Sequence, residues 1–288
     1  MRKDVLGFLL VLPSLFFIGL IAIYPLFYNI YLSFHQFNPL QSVELKFVGL
    51  QNYFWAINET LVLNSLYITL VFTVASVFLE AIVGLFLAFI LAKIEFSGGL
   101  KIIKTVFTSI FILPWAIPTV SAAVGWRLIY HPIFGFLNAL LGQQIMWLSD
   151  ANLALVSVIL ADAWKTMPFF LFIFLAGIMS IPTEHLEAAK IDGSSDLQEL
   201  RYIIIPQILP LMYVALSMRA IDAFTKIFDM VYMLTGGGPG MATKVFPLLI
   251  YNYALQYFKF GNAATLAVIS IIVSLAYGIL LLKRGLRT

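Results

Sequence analysis

Four charged residues lie in an apolar run, Arg219, Asp222, Lys226 and Asp229, at successive intervals of three, four and three. On a helix that spacing places them on one stripe, and Tyr232 continues it. A second apolar run holds Asp162, Trp164 and Lys165, and a third holds Glu80. A charge at mid-helix in lipid costs roughly 2.5 to 3.5 kcal/mol on insertion scales, so such groups turn toward a cavity or a partner. Two chemistries fit the stripe. It is either a ladder of ion pairs against a neighbouring helix or the wall of a cavity, where carboxylates, cations and an aromatic face meet a hydroxyl-rich solute. Asp162 and Lys165, one turn apart, either pair with each other or line that cavity. Glu80 has no opposite charge within a turn of its own helix, so it is either protonated or paired with a charge from another subunit. Arg127 beside Trp126 reads as a pair at a membrane interface.

Other chemistries find no residues to carry them. The chain has no Cys, which excludes disulfides, thiolate metal sites and Cys nucleophiles. His35, His131 and His185 stand apart, without the spacing of metal ligands. No Gly-x-x-x-x-Gly-Lys-Ser/Thr loop is present, so no ATP site is expected in this chain. The Gly236-Gly237-Gly238-Pro239 run reads as turn chemistry at a helix end. No catalytic residue, metal site or cofactor of its own is therefore assigned. The net charge of +3 comes without a basic groove interleaved with aromatics, so nucleic acid is not an expected partner.

The elements that position these residues follow from hydropathy. At 62% hydrophobic residues and a mean hydropathy of +0.99, the apolar surface exceeds what a soluble core could receive. About 20 apolar helical residues cross a hydrocarbon core of roughly 30 Å. Six stretches reach that length: Val5 to Phe34, Asn64 to Ala92, Lys104 to Tyr130, Leu153 to Ser180, Ile208 to Leu234 and Asn262 to Leu282. Their even apolarity excludes the alternating strands of a barrel, so an all-α polytopic membrane protein of six transmembrane helices is predicted. The first stretch outruns a secretory h-region and is read as a retained helix. With both termini in the cytosol, ten Lys and Arg lie inside (Arg2, Lys3, Lys93, Lys101, Lys104, Lys190, Arg201, Lys283, Arg284, Arg287). Three lie outside, Lys46, Lys244 and Lys259, and this bias sets the orientation. Pro114, Pro118 and Pro168 predict kinks in the third and fourth helices. The aromatic stretch from Tyr251 to Phe260 reads as a belt at the outer membrane surface.

The densest polar segment is a cytosolic loop over about 181–205. Pro182 and Glu184 start a short helix, Gly193 supplies a left-handed stop, and Ser195 with Gln198 predicts a capping box for a second helix. With small residues at Ala188 and Ala189, the loop is either a solvated connector or a knob that another protein approaches closely.

The order Glu187-Ala188-Ala189, two residues, Asp192-Gly193, then Ile203, Pro206 and Pro210 resembles the coupling loop of permease subunits in binding-protein-dependent ABC importers. It departs from that pattern at Ser194, where Ala is usual, and at Leu200, where Phe is usual. Further segments are similar to the sugar-uptake branch containing maltose-type and glycerol-phosphate-type permeases. They are Tyr24-Pro25, Ser33-Phe34, Phe47-Val48-Gly49-Leu50-Gln51-Asn52-Tyr53, Phe228-Asp229, the Leu234-Thr235-Gly236-Gly237-Gly238-Pro239 exit, Thr243 and Tyr251. The resemblance implies a type I ABC importer permease fold in the cell (inner) membrane. Residues 1–63 would form the first helix and external loop, and residues 64–283 a five-helix core.

It also implies partners: a second homologous permease, two cytosolic ATPase subunits that hold ATP and Mg, an extracytoplasmic solute-binding protein, and a di- or oligosaccharide substrate. On that basis Glu187, Ala188, Ala189, Asp192 and Gly193 couple to the ATPase. Arg219, Asp222, Lys226, Asp229, Tyr232, Asp162 and Trp164 belong to the substrate pathway. The alternatives are a phosphorylated-polyol importer, an ion-coupled secondary transporter with a charge relay in the fifth helix, and an intramembrane enzyme using Asp222 or Asp229.

Overall fold

The computed structural model describes residues 3–93 and 101–285. Of the cations counted above, Arg2 and Arg287 lie outside them. In chain order, α1 (Lys3–Ile18) passes through a wide π turn (Gly19–Ile23) into α2 (Tyr24–Ser33), followed by a hairpin of β1 (His35–Asn38) and β2 (Ser42–Phe47) and by α3 (Gln51–Asn58). Then come α4 (Thr60–Lys93), α5 (Lys101–Ala116), α6 (Thr119–Ile129), α7 (Phe136–Leu141) and α8 (Ala151–Met179). The polar segment supplies α9 (Thr183–Ile191) and α10 (Asp196–Glu199), and a π turn (Leu200–Ile204) leads into α11 (Ile205–Lys226). The chain closes with α12 (Phe228–Leu234), α13 (Phe246–Tyr251), a π turn (Asn252–Gln256) and α14 (Phe260–Gly285).

Five of these rods are long and apolar enough to cross a bilayer: Leu10–Ser33, Thr60–Lys93, Ala151–Met179, Asp196–Lys226 and Phe260–Gly285. The shortest, at 24 residues, rises about 36 Å, more than a hydrocarbon core requires. The third predicted span, Lys104 to Tyr130, is broken. Its halves, Thr108–Ala116 and Thr119–Ile129, meet at 100°. Pro118 takes an extended conformation (ψ 139°) and so ends one helix before the next begins, whereas Pro114 is accommodated inside α5. Pro168 is likewise accommodated, buried within a continuous α8, so the fourth helix is not interrupted there. The fifth predicted stretch also differs. It begins earlier, at Asp196, and stops at Lys226, with Ile227 separating α11 from α12.

The contacts divide the chain into two units, 1–63 with 249–272 and 64–248 with 273–288. A hydrogen bond and a ring contact join 249–272 to residues of the first 63. Asn52 donates to the carbonyls of Ser33 and His35 at 3.0 Å, and Thr265 donates to Ser33 at 3.1 Å. Tyr253 is buried edge-on against Trp55 at 5.0 Å. This part of the Tyr251–Phe260 stretch is therefore packed inward rather than spread as a surface belt. The short hairpin was not expected from sequence, because its two strands lie in a segment without a core to mark their alternation.

In the second unit α8 is the central helix. Asp150 caps it by accepting from the backbone N–H groups of Asn152 and Leu153 at 2.7 and 3.2 Å. Its buried face, Ala154, Val158, Ala161, Phe170, Leu171 and Phe174, receives its neighbours closely. A Cβ at Gly84 of α4 would come within 2.6 Å of the Phe170 Cβ, so the approach of these two helices depends on that glycine.

Candidate functional site

Three helices of the second unit contribute to a buried charge cluster. Arg219 of α11 grips Glu80 of α4 with two parallel bonds, Nε to Oε2 at 2.8 Å and Nη2 to Oε1 at 2.9 Å. The same Nη2 donates to Asp162 Oδ2 of α8 at 2.5 Å and to Thr166 Oγ1 at 3.1 Å. The Ser76 hydroxyl lies 2.7 Å from Glu80 and 2.9 Å from Asp162, bridging the carboxylates. Glu80 is fully buried, and Asp162 and Arg219 nearly so. A bidentate guanidinium fork is the geometry best able to hold a carboxylate out of water.

Glu80 thus has its counter-charge inside this chain, on a helix 139 positions away. Protonation and an intersubunit pair, the two readings left open by the sequence, are not needed. Asp162 pairs with Arg219 and not with Lys165. Lys165 is buried and donates to the Trp115 carbonyl at 3.4 Å. That carbonyl stands at the end of α5, where the break at Pro118 removes its helical donor. Two carboxylates and two cations balance the buried charge.

The break opens onto a cavity of about 130 Å³ lined by Trp115, Thr119, Asp162, Lys165, Thr166, Arg219, Asp222, Ala223, Lys226, Ile227 and Met230. A second hollow of about 160 Å³ shares Trp115, Thr166, Arg219 and Asp222 and adds Phe169 and Met218. Asp222 and Lys226 pair at 2.7 Å across one helical turn, both partly exposed. The indole of Trp115 is half-exposed at the rim, an aromatic face beside hydrogen-bonding groups.

Of the residues picked from sequence, the structure gathers Asp162, Arg219, Asp222 and Lys226 here and leaves three elsewhere. The interruption at Ile227 ends the single stripe, so Asp229 is exposed on α12 and Tyr232 stacks on Phe228 at 5.3 Å. Trp164 packs edge-on against Trp126 at 5.7 Å, and Arg127 lines a separate hollow. Trp115 and Phe169 were missed, although the Pro114 and Pro118 bracket was a signal for an opened helix at Trp115. A larger groove of about 480 Å³ lies between α4, α11 and α14. It is lined mainly by Leu, Val, Phe and Ala, with Thr73, Tyr277 and Arg284 as its polar members, and offers a solute few hydrogen-bonding partners.

The polar knob has the predicted helix–turn–helix shape. Pro182 precedes α9 as its cap residue rather than opening it. At the far end Gly193 has φ +73°, Gly193 N–H bonds Lys190, and Ser194 N–H reaches back to Ala189 at 3.0 Å. That pair of bonds is a Schellman stop. Ser195 and Gln198 form the reciprocal capping box. Glu187, Ala188, Asp192 and Gly193 are exposed, whereas Ala189 is buried beneath them and anchors the helix. Two apolar residues that sequence reading passed over, Ile191 and Leu197, stand 86% and 72% exposed on the same knob.

Residues 84–286 match the family described as binding-protein-dependent transport system inner membrane component. The chain belongs to that family. This inner membrane component is a multi-pass membrane protein. It is 35% identical to the trehalose/maltose transport system permease protein MalF of Thermococcus litoralis, over 99% of this chain and 95% of that one. It is 33% identical to the trehalose transport system permease protein SugA of Mycobacterium tuberculosis, over 93% and 85% of the two chains. With the sn-glycerol-3-phosphate transport system permease protein UgpA of Agrobacterium fabrum it shares 30% identity over 95% and 92%. Among solved structures, a bacterial ABC transporter that imports the acidic polysaccharide alginate superposes with a TM-score of 0.84, at 20% identity and over 99% and 96% of the chains. The fold is that of an ABC importer permease.

Proposed function

We propose that this inner membrane component is one of two permease subunits of an ATP-driven sugar importer, forming half of the path for a di- or oligosaccharide. The observation that carries the substrate class is similarity along 99% of the chain to a trehalose/maltose permease. The cavity suits such a cargo, because paired charges and hydroxyls at Asp222, Lys226, Thr119 and Thr166 can exchange hydrogen bonds with sugar hydroxyls while Trp115 offers a stacking face. Asp162 and Arg219 form the floor of that cavity. Asp229, Tyr232 and Trp164 serve the pathway at a distance from it.

Both termini lie in the cytosol on this reading. Glu187, Ala188, Ala189, Asp192 and Gly193 couple the helices to one of two cytosolic ATPase subunits, which hold ATP and Mg, and an extracytoplasmic binding protein delivers the sugar. Closure of the ATPases then shifts the knob, and α11, joined to it through the π turn, moves the cavity wall. The test is purification of the complex from its membrane and assay of hydrolysis with loaded and unloaded binding proteins. Stimulation by a sugar-loaded protein is expected, and a chain that emerges alone and transports on an ion gradient would overturn the reading.

A second reading is import of a phosphorylated polyol. The largely exposed ammonium of Lys226 and the similarity to a glycerol-3-phosphate permease favour it. Sugar uptake that persists in excess glycerol phosphate would exclude it. An ion-coupled transporter fits less well, since Arg219, Asp222 and Lys226 of the supposed fifth-helix relay are already held in ion pairs and the knob is left without a role.

A further inference from the structure

The last residue of α4, Lys93, reaches the segment that follows the knob. Its Nζ lies 2.7 Å from Asp196 Oδ1 and 2.6 Å from Glu199 Oε2, and 5.2 Å from the centre of the Phe89 ring on its own helix. Asp196 and Glu199 are the first and last residues of α10. The Asp196 carboxylate is exposed, but that of Glu199 is 4% exposed, and a carboxylate so buried holds its counter-charge firmly. The Schellman stop and the capping box fix α9 against α10, so the knob and the two acids form one stiff body. From Lys93, α4 runs back thirteen residues, about 20 Å, to Glu80, which is held by Arg219 at the floor of the cavity.

We propose that Lys93 is a positioning residue that clamps α4 to the docking knob, so that displacement of the knob is delivered along α4 to Glu80 and the cavity. This rests on the reading of the knob as the ATPase-docking element. It adds a second route beside the direct continuation of the knob into α11. A helix pushed at one end moves as a rod only if its end is held, and the clamp supplies that hold. With both routes engaged, α4 and α11 move together and the Glu80–Arg219 bond between them stays closed.

The test uses the whole importer in liposomes with sugar-loaded binding protein, reading both ATP hydrolysed and sugar taken up. The double variant Lys93→Gln with Glu199→Gln removes both charges and leaves none unpaired in the buried site. The sugar delivered per ATP is expected to fall by about fivefold or more, the lower end of typical coupling effects. An unchanged ratio overturns the clamp. Where the neutral pair does not assemble, the exchanged pair Lys93→Glu with Glu199→Lys, in an Asp196→Asn background, carries the test. Assembly with a recovered ratio supports the clamp, and failure to recover either overturns it. A wild-type complex whose hydrolysis ignores the loaded binding protein points elsewhere, because it refutes the docking reading and not the clamp. A purely structural Lys93 would alter the amount of complex recovered and not its yield of sugar per ATP.

Discussion

One helix carries two ion pairs a turn apart, and they differ in almost every physical respect. Arg219 is sealed between α4 and α8 with a bidentate hold on Glu80 and a bond to Asp162, while Asp222 and Lys226 pair along the surface of α11 where it borders a cavity. Removing one charge from a sealed cluster strands its partners in low dielectric, which costs several kcal/mol. Exposed pairs on a helix are worth a few tenths to about 1 kcal/mol. The buried cluster therefore sets which helices touch. The exposed pair remains available to exchange partners, which a wall contacting passing solute must do.

The sharpest way to break this contrast is Arg219→Met. It should destabilise the subunit by about 3 to 5 kcal/mol, seen as loss of recoverable complex and a lowered unfolding midpoint in detergent. Replacing two members at once, Glu80→Gln with Arg219→Met, should restore much of that loss, because the buried charges that remain, Asp162 and Lys165, still balance. If the single substitution proved harmless, the buried cluster would not be the tie between these helices.

These pairings show where sequence reading succeeds and where it stops. Local signals carried over well: Gly193, Ser195 and Gln198 lie within a few residues of the bonds they specify, and their geometry matches what those residue types demand. Spans were legible because 20 or more apolar residues have few other uses. Failures were of long range. Glu80 finds its partner 139 positions away, which no helical spacing can reveal. The break at Ile227 disperses a stripe that regular periodicity made continuous, and the 100° bend at Pro118 places Trp115 at the cavity rim. Ile191 and Leu197 were overlooked because one apolar residue among polar ones has no period.

The knob offers a middle case, in which local backbone geometry serves a distant event. Gly193 at φ +73° has open space where a Cβ would be, so Gly193→Val meets no clash and strains only the backbone. That strain is about 1 to 2 kcal/mol, enough to depopulate the docking geometry roughly tenfold. Uptake should fall by a similar factor with the thermal midpoint of the subunit nearly unchanged. Normal uptake by this variant would sink the coupling assignment.

Two tryptophans sharpen the contrast at the cavity itself. Trp115→Ala removes an aromatic face from the rim and should raise the KM for sugar several-fold, since stacking on an aromatic contributes about 1 kcal/mol. Trp164→Ala removes a ring packed on Trp126, and its cost should appear in stability with KM little altered. Equal effects on KM would mean that the pathway extends across both sites.

The smallest expected effect bears on the exposed pair. Lys226→Met should change stability by no more than about 1 kcal/mol, because both partners are partly hydrated and salt screens them. Asp222 then keeps its charge at the cavity and loses its partner one turn on, with Arg219 one turn before it on the same helix. If the wall meets neutral sugars, KM should shift modestly and the shift should persist at high salt, because it reflects a lost hydrogen-bond donor. If a phosphorylated solute is carried, loss of the ammonium should raise KM much further, and added salt should weaken the wild type toward the variant. The salt dependence of this one substitution thus separates the two substrate classes, which share every other feature of the site.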